Sequence, residues 1–382
     1  MASYFDHNAT TVLAPEVLEA MLPALRGAYG NPSSVHRFGR AARDQLERAR
    51  ARIAEHLGCL AAELVFVSGG SEANNLALQG WAAANRSART PRRLLYGATE
   101  HPAVLETAEA LARSGVPTST IPVDRDGLVD WAWLEQTCDA HPAGLISLMR
   151  VNNETGVIQD LTPAARLARR HGAWLHVDAV QALGKLGLNF KQLGCDLMSV
   201  SAHKIRGPKG IGALVVRAGL DLPGLIHGGG QERGLRGGTE NLAAIVGFAA
   251  AVDLAAAQLD SWQAQVSARQ QQLIKGLLQV PGVIVHGHGA ARVPNTVQFS
   301  LPGYDGEALL MMLDRKGFAV SSGSACASGR GEPSHVLLAM GVEEMLARAA
   351  VRVSFGADNT ADEVDGLLQV LAELSQSAAV PA

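Results

Sequence analysis

A-W-L-H-V at residues 173–177 is followed along the chain by L-M-S-V-S (197–201) and I-G-A-L-V-V (211–216). Each run is short and apolar, which is typical of a strand that is buried on both faces. Earlier runs of the same kind are L-V-F-V (64–67) and L-I-S-L-M (145–149). Together they predict a largely parallel sheet that is covered by helices.

Amphipathic helices are predicted between these strands. At residues 40–57 apolar residues recur at helical spacing, and Gly58 ends the run. A second helix begins near Ser71, and a third has Pro102 in its first turn. The alternation predicts an α/β fold, whose ligands gather at the carboxyl ends of the strands.

The pattern changes after a long helical stretch at about 242–278. Beyond Pro281, short strand patterns alternate with helical ones. This predicts a second, smaller α+β domain that the N-terminal segment joins. The predicted large domain covers 16–250, and the predicted small domain covers 1–15 and 251–382.

The composition excludes several classes of function. Hydrophobic residues make up 47% of the chain and charged residues 18%, which suits a large core and argues against disorder. A net charge of -3 indicates neither a nucleic-acid nor a membrane-surface partner. No apolar run approaches the roughly 20 residues of a membrane span, and the N-terminus lacks a secretion-signal pattern. We therefore expect a cytoplasmic protein. The four cysteines form no C-x-x-C pair, so no metal site is expected.

Lys204 is the most informative residue, because it lies directly beyond a predicted strand in S-A-H-K (201–204). A lone lysine at such a place is usually solvated. Schiff-base chemistry, however, needs a desolvated and partly neutral amine, which a rigid strand edge supplies. Ser201 and His203 add hydrogen-bond donors that suit a phosphate. The chain's other lysines are predicted to be surface residues: Lys185, Lys191, Lys209, Lys275 and Lys316.

Asp178 ends the predicted strand in H-V-D-A-V-Q (176–181). A carboxylate there is costly unless it has a cationic partner, and the pyridinium nitrogen of pyridoxal phosphate is such a partner. Gln181 could then donate to the phenolic oxygen of that cofactor. The alternative is a helix-capping aspartate with a solvated glutamine.

Two turns are candidate contacts for a cofactor. Gly70 and Ser71, in S-G-G-S-E-A-N-N (68–75), lie between a strand and a helix, where free N–H groups bind anions. His101, in T-E-H-P, either stacks on a cofactor ring and relays protons or caps a helix. Polar residues after another strand, including Asn153, either build a turn or line a site.

Cys326 lies among small residues in S-S-G-S-A-C-A-S-G-R-G (321–331). Nothing in this stretch could bury it in a core, and an exposed thiol on a mobile loop is a nucleophile that can travel. Arg352 alternates with apolar residues on a predicted strand. If it points inward, it suits bidentate binding of a carboxylate; otherwise it lies on an exposed face.

Seven ordered motifs together resemble the cysteine desulfurases of the NifS/IscS type, in the class V aminotransferase superfamily of fold type I. The resemblance covers nearly the whole chain, from Y-F-D-H-N-A-T-T (4–11) through S-A-H-K and G-G-G-Q-E-R-G (228–234) to S-G-S-A-C (322–326). It implies the pyridoxal-phosphate transferase fold, with a large cofactor-binding domain and a small domain whose mobile loop (about 321–333) bears the cysteine.

The resemblance also implies roles for individual residues. Lys204 would hold the cofactor as a Schiff base and move the substrate's Cα proton, and Cys326 would attack the substrate's sulfur. Arg352 would hold the substrate carboxylate. The expected cofactor contacts are Asp178 at the pyridine nitrogen, Gln181 at the phenolic oxygen, His101 on the ring, Asn153 at cofactor and substrate, and Gly70, Ser71, Ser201, Ala202 and His203 around the phosphate.

The implied activity converts L-cysteine to L-alanine and leaves a persulfide on Cys326, for iron–sulfur cluster assembly or thio-modification. Thr239 would reach the phosphate of a partner subunit, which implies a homodimer, and a sulfur-acceptor protein such as an iron–sulfur scaffold is the expected partner. The alternatives are a selenocysteine lyase, another class V aminotransferase, or an inactive cofactor-bearing accessory protein.

Overall fold

The computed structural model describes residues 2–86, 92–322 and 332–378. The strands are β1 (Ser3–Tyr4), β2 (Leu64–Val67), β3 (Arg93–Gly97), β4 (Thr118–Ile121), β5 (Ala143–Met149), β6 (Trp174–Asp178), β7 (Leu197–Ser201), β8 (Gly212–Val216), β9 (Ile284–Val285), β10 (Thr296–Ser300), β11 (Phe318–Ala319) and β12 (Ala350–Ser354). The helices are α1 (Pro15–Gly27), α2 (Arg37–Leu57), α3 (Gly70–Ala84), α4 (Pro102–Arg113), α5 (Trp131–Ala140), α6 (Thr162–His171), α7 (Phe190–Leu193), α8 (Leu242–Leu277), α9 (Gly306–Arg315), α10 (His335–Ala339), α11 (Glu344–Arg348) and α12 (Ala361–Ala378).

A seven-stranded sheet forms the centre of the molecule, in the order β2-β8-β7-β6-β5-β3-β4. The strands from β7 to β4 pair in parallel, and β8 is antiparallel to both of its neighbours. Apolar clusters cover the two faces of the sheet. The predicted α/β fold with a largely parallel sheet is therefore confirmed, and the carboxyl ends of all strands except β8 meet at one edge.

The predicted helix at 40–57 is α2, which begins three residues earlier and ends where expected. Gly58 follows it in the left-handed region at φ 66° and donates its N–H to the carbonyls of Ala54 and Glu55. Glycine adopts this conformation without the Cβ clash that other residues meet. The helix that follows β2 begins at Gly70, so its free N–H groups face the carboxyl edge of the sheet.

Helix α8 is long and apolar enough, by length and composition alone, to cross a membrane. Its first half packs against α1 and α2 and contributes buried side chains such as Ile245, Phe248 and Val252 to the main core. A core helix of a globular protein passes the same test, so this feature is weak evidence for a membrane span.

The C-terminal third contains a smaller antiparallel sheet of β12, β10 and β9. Strand β1 pairs in parallel with β11, and Phe5 is fully buried among side chains of this part, including Phe299 and Phe355. The N-terminal segment thus packs with C-terminal residues. The expected domain boundaries at residues 15/16 and 250/251 remain a prediction.

Candidate active site

A cavity of about 300 Å³ lies at the carboxyl edge of the large sheet. We call it the edge cavity. It is lined by most of the residues predicted from the sequence: Gly70, Ser71, His101, Asn153, Asp178, Gln181, Ser201, His203, Lys204 and Arg352. These residues follow β2, β3, β5, β6 and β7 or lie on β12, and the fold brings them together because those strand ends are adjacent.

Lys204 ends a short 3₁₀ turn directly after β7. Its Nζ atom donates to the carbonyl oxygens of Asn8, at 2.5 Å, and Ala9, at 2.7 Å. Both carbonyls belong to the N-terminal segment, far from Lys204 in sequence. The amine is therefore half-buried and held at the wall of the edge cavity.

Asp178 is the last residue of β6 and is 6% exposed. Its Oδ2 atom accepts from Asn74 Nδ2 at 2.7 Å, and its Oδ1 atom accepts from the backbone N–H of Val180 at 2.9 Å. These contacts fix the carboxylate at the floor of the edge cavity. A carboxylate fixed at such depth favours a cationic group bound above it.

His101 caps α4, because its Nδ1 atom accepts the backbone N–H of Ala103 at 3.1 Å. The neutral ring therefore carries its proton on Nε2. Burial lowers the pKa of His101; the charge of Asp178 opposes this shift, and that of Lys204 adds to it. His101 is thus both a helix cap and a residue of the edge cavity, so the two alternatives from the sequence are not exclusive.

Gln181 is buried beside the N-terminal segment, where its Nε2 atom donates to the carbonyl of Asn8 at 3.0 Å. Its Oε1 atom accepts from Lys185 Nζ at 2.5 Å. The prediction that Lys185 is a surface residue is wrong, since only 4% of it is exposed. The turn after β6 directs this lysine inward, which the local sequence does not reveal.

One end of the edge cavity is suited to a phosphate group. Gly70 and Ser71 form the first turn of α3, whose N-terminal N–H groups attract anions. Ser201 lines the same cavity, and its fully buried hydroxyl has no hydrogen-bond partner among the described residues. A buried hydroxyl without a partner is costly, and a phosphate oxygen would satisfy it. With Asp178 below and Lys204 beside it, the cavity fits pyridoxal phosphate.

Arg352 lies on β12 and is 1% exposed, so it points inward as the carboxylate-binding alternative requires. It donates to Asp6 Oδ1 at 2.7 Å and to the carbonyl of Asn153 at 3.1 Å. The guanidinium is thereby held at the edge cavity, which Asn153 also lines.

Two predicted residues do not line the edge cavity. Ala202 is fully buried, and its backbone N–H donates to the carbonyl of Ile211 at 3.2 Å. Thr239 is exposed on the segment before α8. A third predicted residue, Cys326, lies outside the described residues.

The chain on either side of residues 323–331 is fixed next to the edge cavity. Before them, Ser321 exchanges two backbone hydrogen bonds with Arg352, at 2.6 and 3.2 Å. After them, Ser334 donates to Glu154 Oε2 at 2.5 Å, and His335 Nε2 donates to the carbonyl of Glu100 at 2.9 Å. The residues that flank this segment therefore contact Arg352 and Glu154, which line the edge cavity. The segment itself contains the predicted nucleophile, Cys326.

Several residues of the site carry no recognisable signal in the sequence. Asn8, Asn74 and His335 line the edge cavity, and Glu154 lies beside them. Asn8 and Asn74 lie inside the quoted stretches 4–11 and 68–75, and Glu154 follows Asn153, but their residue types alone predict no role. His335 occupies an ordinary position at a helix start. Only their long-range partners identify them.

The class-V aminotransferase family model matches residues 3–367. The chain is 40% identical over 369 residues to the cysteine desulfurase IscS of Dictyoglomus turgidum, which covers 96% of this chain and 93% of the relative. It is 45% identical over 371 residues to a cysteine desulfurase of Cereibacter sphaeroides, with 96% and 94% covered.

Among solved structures, a NifS-like protein superimposes with a TM-score of 0.91 at 36% identity, covering 99% of this chain and all of the other. This similarity confirms the predicted fold class, the pyridoxal-phosphate transferase fold of type I.

Proposed function

This chain belongs to the class-V aminotransferase family, and from that premise we propose that it is a pyridoxal-phosphate-dependent cysteine desulfurase. It converts L-cysteine to L-alanine and is a sulfurtransferase. The observation that carries the proposal is the edge cavity itself, in which Lys204, Asp178 and the unpartnered hydroxyl of Ser201 converge. These are the groups that hold the aldehyde, the ring nitrogen and the phosphate of the cofactor.

Pyridoxal phosphate supplies an electron sink that weakens the bonds at the α-carbon of a bound amino acid. In our proposal, Lys204 holds the cofactor and moves the Cα proton, while Asp178 pairs with the ring nitrogen. Gly70, Ser71, Ser201 and His203 hold the phosphate, and the backbone of Ala202 supports this turn. Gln181 donates to the phenolic oxygen, and His101 lies on the ring with Nε2–H available as a donor.

Arg352 and Asn153 are proposed to orient the substrate. The guanidinium of Arg352 would bind the carboxylate of L-cysteine, which places the substrate's sulfur toward the segment that contains Cys326. Asp6, whose Oδ1 atom lies 2.7 Å from the guanidinium, holds Arg352 in place before substrate arrives.

Cys326 is the proposed nucleophile. Its thiolate attacks the substrate's sulfur, an S–S bond forms and the C–S bond breaks. The electron pair of that C–S bond goes to the β-carbon of the substrate, which gains a proton to give alanine. The sulfur remains as a persulfide on Cys326. No external oxidant or reductant is required. The fixed positions of Ser321 and Ser334 beside the edge cavity support this assignment.

Incubation with L-cysteine, followed by quantitation of alanine and mass analysis of the peptide containing Cys326, tests the proposal. We expect one alanine per turnover and a mass increase of one sulfur atom on that peptide. The Cys326→Ser variant should bind pyridoxal phosphate like the wild type but lose desulfuration. Undiminished sulfide release by this variant would refute the nucleophile. A requirement for a keto acid, with pyridoxamine phosphate as product, would identify an aminotransferase instead.

We propose that the enzyme is a homodimer in which Thr239 contacts the cofactor phosphate of the partner subunit. An exposed apolar patch supports the dimer: Tyr29 and Val35 are 77% and 83% exposed, and the rings of Tyr29 and Phe38 lie 5.2 Å apart. Such patches on soluble proteins commonly mark interfaces. Light scattering should give twice the monomer mass of 40.0 kDa.

We further propose a sulfur-acceptor protein, such as an iron–sulfur scaffold, as the partner that removes the persulfide sulfur in the cytoplasm. The cysteines Cys59, Cys138 and Cys195 are buried and unpaired by disulfides, which is typical of a reducing compartment. Transfer of labelled sulfur from the loaded enzyme to a purified scaffold would test this step.

A further inference from the structure

Lys185 is a buried lysine that the proposed reaction does not yet use. It follows Gln181 by four residues, and its Nζ atom donates to two carboxamide oxygens, Gln181 Oε1 at 2.5 Å and Asn8 Oδ1 at 2.7 Å. It makes no ion pair with a carboxylate in the described part of the chain. Burial of an amine without an anionic partner costs free energy, which the two hydrogen bonds to carboxamide oxygens must offset.

The orientation of the Gln181 carboxamide follows from its partners. A backbone carbonyl only accepts hydrogen bonds, so the group that faces the carbonyl of Asn8, at 3.0 Å, must be Nε2. Oε1 therefore faces Lys185. Nε2 carries two protons, and the second remains for the edge cavity, where Gln181 is one of the lining residues.

The side chain of Asn8 is fixed by the same rule. Its Nδ2 atom donates to the carbonyl of Asn153 at 3.1 Å, so Oδ1 points to Lys185 and to Asn295 Nδ2 at 3.0 Å. The backbone carbonyl of Asn8 also accepts from Lys204 Nζ at 2.5 Å. Lys185 thus contacts the residue that holds the amine of Lys204.

Lys185 is the group that satisfies both oxygens at once. Two N–H donors are sufficient, and both the ammonium and the neutral amine have them. Without Lys185, Gln181 Oε1 would be a buried acceptor with no other hydrogen bond among the described residues. The carboxamide would then rotate to find a donor, and its N–H would leave the edge cavity.

We propose that Lys185 is a positioning residue for the desulfurase reaction, which fixes the carboxamide of Gln181 so that an N–H faces the cofactor's phenolic oxygen, and fixes Asn8, whose carbonyl holds Lys204. This inference rests on the proposed function, because it takes pyridoxal phosphate as the group in the edge cavity.

The test is a double-mutant cycle between Lys185→Met and Gln181→Leu, read by the pH titration of the visible absorbance of bound pyridoxal phosphate. A donor to the phenolic oxygen favours its ionised form, so its loss moves the titration to higher pH. We expect Lys185→Met to raise the midpoint by about 0.5–1 pH unit, the equivalent of one hydrogen bond. Its dissociation constant for the cofactor should rise about ten-fold.

The double variant should titrate like Gln181→Leu alone, because Lys185 acts through Gln181. Lys191→Met, the same change at an exposed lysine, should titrate like the wild type. An unchanged midpoint in Lys185→Met, or additive shifts in the double variant, would overturn the proposal. If Lys185→Met does not fold, Lys185→Leu, which also removes the donor to Gln181, should give a shift in the same direction, and no shift overturns the proposal.

Failure of this inference is distinguishable from failure of the proposed function. If the wild type binds no pyridoxal phosphate, the proposed function fails. If the wild type binds and titrates normally while the Lys185 variants match it, only the positioning role fails.

Discussion

Two buried cations of this protein have opposite environments. Arg50, on α2, makes two hydrogen bonds with the carboxylate of Glu232, at 2.7 and 2.8 Å, and both side chains are almost fully buried. Lys185, beside the edge cavity, donates to the neutral oxygens of Gln181 and Asn8. Arg50 therefore belongs to a charge pair, whereas Lys185 has no carboxylate partner in the described part of the chain.

The pKa values follow the two environments. Burial by itself would lower the pKa of Arg50, but the hydrogen bonds and charge of Glu232 raise it above the ordinary value. Burial lowers the pKa of Lys185 well below its ordinary value, and the charges of Lys204 and Arg352 lower it further. The buried ion pair of Arg50 and Glu232 stabilises the fold, whereas Lys185, which has no carboxylate partner among the described residues, lies near the reactive lysine and serves the site.

The largest expected effect comes from opening the structural pair. Glu232→Gln should reduce the free energy of unfolding by about 3–5 kcal/mol, because it leaves the buried charge of Arg50 with only the exposed carboxylate of Glu47, at 3.2 Å, as an anionic partner. The backbone N–H of Phe66 also bonds to the same carboxylate, at 2.8 Å. Urea unfolding monitored by circular dichroism measures the loss.

The matched control is Glu135→Gln in the exposed pair of Glu135 with Arg170, where we expect a change below about 1 kcal/mol. The variant with both Arg50→Met and Glu232→Gln should recover much of the lost stability, since no buried charge remains. Equal losses at Glu232 and Glu135 would contradict the contrast between buried and exposed pairs.

A smaller effect is expected at His286, a buried base whose ring bonds to the hydroxyl of Ser300 at 2.7 Å. Burial lowers its pKa to about 4, below the ordinary value of 6.5. The unfolded chain then binds more protons than the folded one between these values, so stability falls as pH decreases through this window. His286→Gln should remove about 2–3 kcal/mol of the stability difference between pH 7.5 and 4.5.

Urea unfolding of wild type and His286→Gln at both pH values measures this difference. Parallel pH dependence of the two proteins would show that His286 does not titrate as its burial requires. The position lies outside the edge cavity, so cofactor binding should be unchanged in the variant.

The smallest effect on folding is expected for Lys185→Met. Because the folded pKa of Lys185 is depressed, the unfolded chain binds the extra proton between that value and the ordinary 10.5, and wild-type stability rises with pH across this window. The stability of the Lys185→Met variant lacks this dependence on pH. The variant should equal or exceed the wild type in stability near pH 7, and its advantage should shrink as pH approaches 10.5.

Unfolding of the cofactor-free proteins at pH 7, 8.5 and 10 measures this trend. An advantage that grows with pH would contradict the depressed pKa. Together with Glu232→Gln, this variant sharpens the comparison: loss of the paired group destabilises the fold, whereas loss of the unpaired one changes the site more than the fold.

Much of the fold was predictable because its signals are local. Apolar runs such as 145–149 and 197–201 became buried strands, since only a sheet covered on both faces can bury every side chain of such a run. Gly58 ended its helix as expected. The antiparallel direction of β8 was not predicted, because a buried run has the same composition in either direction.

The order of the motifs along the chain was sufficient to predict the family, the cofactor and the candidate residues Lys204, Asp178 and His101. Each of these residues lies at or after the carboxyl end of a predicted parallel strand, and such ends meet at one edge of the sheet. Only the tertiary structure decided that Lys185 is buried and that Asn8 lies between it and Lys204. Those contacts join residues more than 170 positions apart, and no local pattern records which distant groups a side chain will meet when the N-terminal segment packs across the sheet edge.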